Sequence, residues 1–353
     1  MIERHAGQVL VAGFPGREPP RELTRWAEQG LLGGFILFRR NIGDLAALVE
    51  LNHALLAAFP AELPPFLTVD QEGGRVARLS APVLQLPSMQ SLASQGDLEL
   101  TRRAARVLSE QLRELGFNLN MAPVLDVHTN PANPVIGDRS FGGTVAEVVA
   151  QARAVAQGMA DAGLGSCGKH FPGHGDTHLD SHLALPRVQH DRLRLEQVEM
   201  GPFMALAAEL PALMTAHVVY DALDPTRPAT LSRPIATELL RGKVGFTGVL
   251  FSDDMEMRAI ADGYPPGEAG CEAIAAGCDT LLVCSNMEQV MEVHAALVKR
   301  AGADSRFAAR LQEAAERSLQ MRRRFVPRVA CVGDPSERFV RNGEALQARL
   351  AAL

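Results

Sequence analysis

Eight short apolar runs punctuate the chain, at positions 7 to 13, 33 to 38, 65 to 70, 117 to 125, 165 to 170, 212 to 219, 247 to 253 and 278 to 284. Between them lie longer stretches in which apolar residues return every third or fourth position, most clearly 102 to 115 and 145 to 163. That spacing puts one apolar stripe on an α-helix. Gly116 and Gly163 follow the last periodic residues of these two stretches, and each precedes an apolar run, as where a helix passes into a strand. Eight strands alternating with helices close a barrel, so the expected fold is α/β, a single (β/α)8 barrel of the TIM type. An open doubly wound sheet would show the same alternation but should carry a glycine-rich phosphate turn after its first strand, and no G-x-G-x-x-G stands there. Residues 304 to 326 read as a charged helix. The expected boundaries are a barrel domain over 1–330 and a tail over 331–353 that packs on it and ends in a short helix, with Pro327, Gly333 and Pro335 marking the transition.

Composition narrows the picture. Apolar residues make up 47% of the 353, yet there are only one Trp and two Tyr, which suits the Leu, Val, Ile and Ala core of an α/β protein. The 35 basic and 41 acidic residues are interspersed and sum to a formal charge of -6, so no nucleic-acid partner is expected. The five cysteines form no C-x-x-C pair and read as reduced, mostly buried thiols. The N-terminal apolar run is too short for a secretory signal, which implies a cytoplasmic protein. No stretch approaches the roughly 20 apolar residues of a membrane span, so no membrane partner is expected.

Chemistry-bearing residues gather where the apolar runs stop. The third run ends VDQEGGR, the fourth leads into DVHTNPANPVIGDRSFGG, the fifth into GKHFPGHGDTHLDSH, the sixth ends TAHVVYD and the seventh FSDDMEM. In a barrel these ends share one rim, the rim that carries catalysis. So many ionisable groups on that rim are costly to bury unless paired or used. His170, His174, His178 and His182 recur every fourth residue, as metal ligands on a helix would, but Pro172, Gly173 and Gly175 break any helix there. H-E-x-x-H is absent too, so no metal is expected and a catalytic loop is the better reading. Within that loop Asp180 and His182, two residues apart in extended chain, can point the same way, letting the carboxylate hold the imidazole. Taken alone, a surface Asp-x-His without a role is the plainer reading. At the seventh run, alternation sets Val249, Phe251 and Asp253 on one face and Leu250, Ser252 and Asp254 on the other, so only one of the two carboxylates should line the mouth.

The pattern KHFPGHGDTHLDSH with a downstream FSDDMEM closely resembles glycoside hydrolase family 3, in its bacterial β-N-acetylglucosaminidase branch. LFRRN, VDQEGGRVARL, NMAPVLDV, NPVIGDRSFG, TAHVVY and GFTGVLFSDDMEM extend the likeness over most of the chain, in matching order. The resemblance implies a retaining glycosidase in which Asp253 attacks the anomeric carbon. Retaining enzymes usually pair two carboxyl groups about 5 Å apart, but the resemblance implies that this branch uses His182, supported by Asp180, as acid/base. Imidazole chemistry allows it: the protonated ring can donate to the glycosidic oxygen and the neutral ring can then take a proton from water. By motif, Asp70, Arg78, Arg139, Lys169 and His170 are the implied sugar-binding residues, and Glu72, Arg75, Asp126 and His217 are left as scaffold around them.

The implied reaction is hydrolysis of terminal, non-reducing β-linked N-acetylglucosamine, with peptidoglycan-derived muropeptides as substrates, by a monomer that needs no cofactor. Two alternatives stay open. An uncharged imidazole base does not repel phosphate, so a phosphorylase could use the same residues, and a non-catalytic sugar-binding barrel could keep the pocket. Glucosidases of the family carry their acid/base on a following domain, for which little chain remains after residue 330.

Overall fold

The computed structural model describes residues 1–181 and 184–353. Eight strands form a closed barrel: β1 (Leu10–Ala12), β2 (Gly34–Leu37), β3 (Phe66–Val69), β4 (Leu119–Asn120), β5 (Gly165–Phe171), β6 (Ala212–Thr215), β7 (Val249–Asp254) and β8 (Thr280–Val283). Each pairs in parallel with its neighbours in sequence, and β1 closes on β8 through Leu10 opposite Leu281 and Ala12 opposite Val283. The (β/α)8 barrel expected from the apolar runs is therefore the fold.

Two layers of core hold it. Inside the barrel, Val11, Ile36, Phe66, Leu119, Cys167, Met214, Val249, Phe251 and Leu282 fill one buried cluster, with Phe66 and Phe251 meeting edge to face at 5.2 Å. Outside it, a larger buried cluster joins the strands' outer faces to the helices. Helix Leu98–Glu114 buries Leu100, Ala104, Leu108 and Leu112, the three-to-four spacing read from sequence, and starts on the Asp97 carboxylate, which accepts the Leu100 N–H. Helix Val145–Asp161 starts on a Thr144/Glu147 capping box. The two helices touch at Gly158, where a Cβ would lie 2.3 Å from the Arg102 carbonyl oxygen.

Several boundaries differ from expectation. Residues 2–8 are helical, so only the end of the first run is strand; the run is apolar enough for either state, and the helix buries Ala6, Gly7 and Gln8. The fourth run is regular strand over two residues only, with one further isolated bridge from Val124 to Lys169; Pro123 has no N–H to give the ladder. The sixth run divides, with Val219 and Tyr220 pairing instead with Arg187 and Val188. The tail helix is longer than foreseen, Ser336–Leu350. It buries Phe339, Leu346 and Leu350, while Arg338 bonds Glu114 at 2.6 Å and Arg349 bonds Asp97 at 2.7 Å on helix Leu98–Glu114. All five cysteines are buried and free. Among the described residues, no helix is long and apolar enough to cross a membrane.

Candidate active site

Strand periodicity dictates the floor of the barrel mouth. Side chains two apart share a face, so Asp70 continues the inward column of Phe66 and Thr68, Lys169 continues that of Cys167, and Asp253 that of Val249 and Phe251. The apolar plug thus carries a charged layer on top. Above it lies a cavity of about 280 Å³, small for a ligand pocket. Its lining includes Phe38, Asp70, Glu72, Arg75, Arg78, Arg139, Lys169, His170, His174, Asp180, Ser181, Asp253, Asp254 and Met257.

One side of the cavity is an ion-pair lattice. Lys169 Nζ lies 2.8 Å from Asp70 Oδ1 and 2.5 Å from Glu72 Oε1. Arg139 grips Glu72 with two hydrogen bonds of 2.9 Å, and Arg78 reaches Asp70 at 3.2 Å. Burial by itself would raise the Glu72 carboxyl, but Arg139 and Lys169 outweigh it and hold it at about 2. Asp70 is likewise lowered, burial losing to Lys169 and Arg78. On Lys169 burial works to lower the ammonium, yet Asp70 and Glu72 raise it. Asp70, Glu72 and Lys169 are thereby charged at neutral pH, and the lattice offers fixed hydrogen-bond donors and acceptors to the cavity.

The wall next to it is built on Asp126, a fully buried carboxylate at the end of the fourth run. It accepts the backbone N–H of His174 at 2.6 Å and meets His170 Nδ1 at 2.7 Å, which leaves His170 Nε2 for the cavity. Burial opposes ionisation of Asp126, but the adjacent His170 keeps its carboxyl low. His174 is pushed down to about 4 by burial and by His170, and as a neutral ring it bridges Thr177 Oγ1 at 2.8 Å and Ser181 Oγ at 3.0 Å. Ser181 is thereby fixed beside Asp180. Gly175 lets the loop lie against the fourth run: a Cβ there would fall 1.8 Å from the Val127 carbonyl oxygen.

Across the cavity stands Asp253, half-buried, whose Oδ1 accepts the Asp254 N–H at 2.8 Å. Burial would raise its carboxyl, but His170 and His217 bring it below the usual range, so it is ionised at neutral pH. Asp254 behaves oppositely. Burial and the nearby Glu256 push it up to about 7, and its Oδ1 accepts the Glu256 N–H at 3.1 Å. His217 supports the pair from below, bonding Thr230 Oγ1 at 2.7 Å and the Asp254 carbonyl at 2.9 Å.

The structure gathers Asp70, Arg78, Arg139, Lys169, His170, Asp180 and Asp253 around this one cavity. His182 lies outside the described residues. The expectation that only one of the two adjacent carboxylates could line the mouth is overturned, since Asp253 and Asp254 both do. The reason is a register shift: the step from Phe251 to Asp254 on β7 spans the shorter step from Thr280 to Leu282 on β8, and the extra residue breaks the alternation. A like shift on β5, where Gly168 to Phe171 spans Leu213 to Thr215, brings the consecutive Lys169 and His170 to the cavity together. Glu72 and Arg75 also stand in the wall, and Phe38, His174, Asp254 and Met257 were not foreseen there. The only sequence signal for His174 was its place in the four-histidine run.

Comparison with known proteins places this barrel, by family, among the glycosyl hydrolases. The Glycosyl hydrolase family 3 N terminal domain matches residues 1–321, and the chain belongs to that family. It is 42% identical over 295 residues to the β-hexosaminidase of Alkalilimnicola ehrlichii, a match covering 80% of this chain and 82% of that protein. It is 39% identical over 285 residues to β-hexosaminidase A of Pseudoalteromonas piscicida, covering 75% of this chain but only 48% of the relative's length. Among solved structures, the family 3 β-N-acetylglucosaminidase of Paenibacillus sp. str. FPU-7 superposes with a TM-score of 0.88 at 40% identity, over 92% of this chain and 62% of that one.

Proposed function

We propose that this protein is a retaining exo-β-N-acetylglucosaminidase that removes terminal, non-reducing N-acetylglucosamine through a glycosyl ester on Asp253. The observation that carries the reading is an ionised Asp253 on the same small cavity as Asp180. The name of the Paenibacillus relative, a β-N-acetylglucosaminidase, supports the same sugar, and that of the Alkalilimnicola relative supports a hexosamine. In the first step Asp253 attacks the anomeric carbon while His182 protonates the departing glycosidic oxygen. In the second, neutral His182 takes a proton from water, which opens the ester and releases the sugar with its configuration retained. Asp180 holds the imidazole ring and raises its basicity.

The sugar rests on the lattice. Asp70 accepts from ring hydroxyls, Arg78, Arg139 and Lys169 donate, and His170 offers Nε2 to the hydroxyl or N-acetyl side. These groups are preorganised by one another, so little is lost in arranging them when substrate binds. The substrates we assign are muropeptides from peptidoglycan turnover, met in the cytoplasm, with the protein acting as a monomer.

The test is covalent trapping. Incubation with a fluorinated N-acetylglucosaminide that forms the ester but releases it slowly should raise the intact mass by one glycosyl unit, located on the Asp253 peptide. Labelling of another carboxylate would overturn the assignment. Running the natural reaction in phosphate buffer and finding free sugar, not sugar 1-phosphate, would separate hydrolysis from phosphorolysis.

A further inference from the structure

Outside the cavity, Asp176, His190 and Glu199 converge, one ligand-type atom from each lying within 4.8 Å of the others. His190 Nε2 bonds Asp176 Oδ2, and Thr129 donates to Asp176 Oδ1 at 2.8 Å, which fixes the carboxylate plane. Glu199 has a side chain only 2% exposed; Arg194 lies 3.3 Å from its Oε1, while its Oε2 is buried with no hydrogen-bond partner among the described residues. A buried carboxylate oxygen lacking a donor is costly, and a cation would relieve it.

The donor set is one imidazole nitrogen and two carboxylates, with room in coordination for water. That set suits borderline divalent ions such as zinc, and is poor for magnesium, which prefers oxygen alone. Two carboxylates face one cation, Arg194, whose guanidinium also stands 3.8 Å from Asp176. Its side chain is 40% exposed, so it can turn out into water at little cost.

We propose that Asp176, His190 and Glu199 bind a divalent transition-metal ion of the zinc class, with Arg194 as the displaceable charge that occupies the site's surroundings when no metal is bound. Asp176 and His190 flank the segment that carries Asp180 and Ser181, so an ion shared between them ties the two ends of that segment together.

Titration calorimetry with Zn²⁺ on metal-stripped full-length protein tests the site, and the visible absorption of Co²⁺ reports its coordination. The expected result is one ion per chain, kept in Asp253→Asn and weakened at least tenfold in Glu199→Gln and His190→Gln. Arg194→Met should bind zinc several-fold more tightly, a gain that misfolding cannot produce. No stoichiometric binding, unchanged affinity in Glu199→Gln, or no gain in Arg194→Met would overturn the proposal. So would loss of binding in Asp253→Asn, which would place the ion in the sugar cavity.

Discussion

Asp279 and Asp253 stand at opposite ends of two adjacent barrel strands. Asp279, just before β8, is wholly buried, and its two oxygens meet Arg241 at 2.5 Å, Arg310 at 2.8 Å, Arg317 at 2.7 Å and the Leu250 N–H at 3.0 Å. Asp253, at the end of β7, is half open to the cavity, and among the described residues its side chain takes one hydrogen bond, from the next peptide. The lower carboxylate is saturated and clamps helix Ser305–Arg324 to the strand starts. The upper one is held ionised by histidines at a distance and keeps lone pairs unspent. On the function proposed above, one barrel separates stability and chemistry by end, as its architecture favours.

Exchanging the two carboxylates for amides is the sharpest way to break that contrast. Asp253→Asn should lower kcat/KM for an N-acetylglucosaminide by about 10⁴-fold, the size of loss seen when a reacting group is removed, and should leave the urea midpoint near wild type. Asp279→Asn should do the reverse. Stranding three guanidinium groups should cost about 3–5 kcal/mol of stability in urea unfolding, with kcat of the folded fraction kept. A large stability loss at 253, or a large kcat loss at 279, would dissolve the distinction.

A smaller effect separates roles within the mouth. His182→Ala should slow hydrolysis of substrates with poor leaving groups by about 10²–10⁴-fold, yet spare the first step for activated aryl glycosides. Equal losses on both would make His182 a binding group.

The smallest effect concerns Asp254, whose carboxyl is raised from 3.8 to about 7 by burial and Glu256. Between those values the folded chain holds a proton that the unfolded chain has released, so stability is full below pH 3.8 and falls as pH rises through 7. Asp254→Asn removes that dependence. It should raise the thermal midpoint at pH 8 by about 2–5 °C and change it little at pH 4, as scanning calorimetry would record.

The barrel was legible because strands buried on both faces read as unbroken apolar runs. Where a run overlapped a helix end, as at Gly7 and Gln8, or met a proline, as at Pro123, periodicity did not mark the limits of the strand. The mouth was legible as a collection of polar strand ends; alternation set Asp253 and Asp254 on opposite faces, while Asp70 and Lys169 were singled out only by the family resemblance. The pairing of neighbours in one cavity was not legible, since a bulge is a property of two strands in register and no single strand announces it. Nor was the work of Asp126, which depends on chain segments 44 positions away meeting in space.

The two bulges make the mouth sensitive to length as well as to residue type. Removing a single codon between Phe251 and Asp254 would bring the ladder back into step and swing one acid outward among the surrounding helices. A library of one-residue deletions along β5 and β7 should therefore be purged far more severely than a library of conservative replacements at the same places.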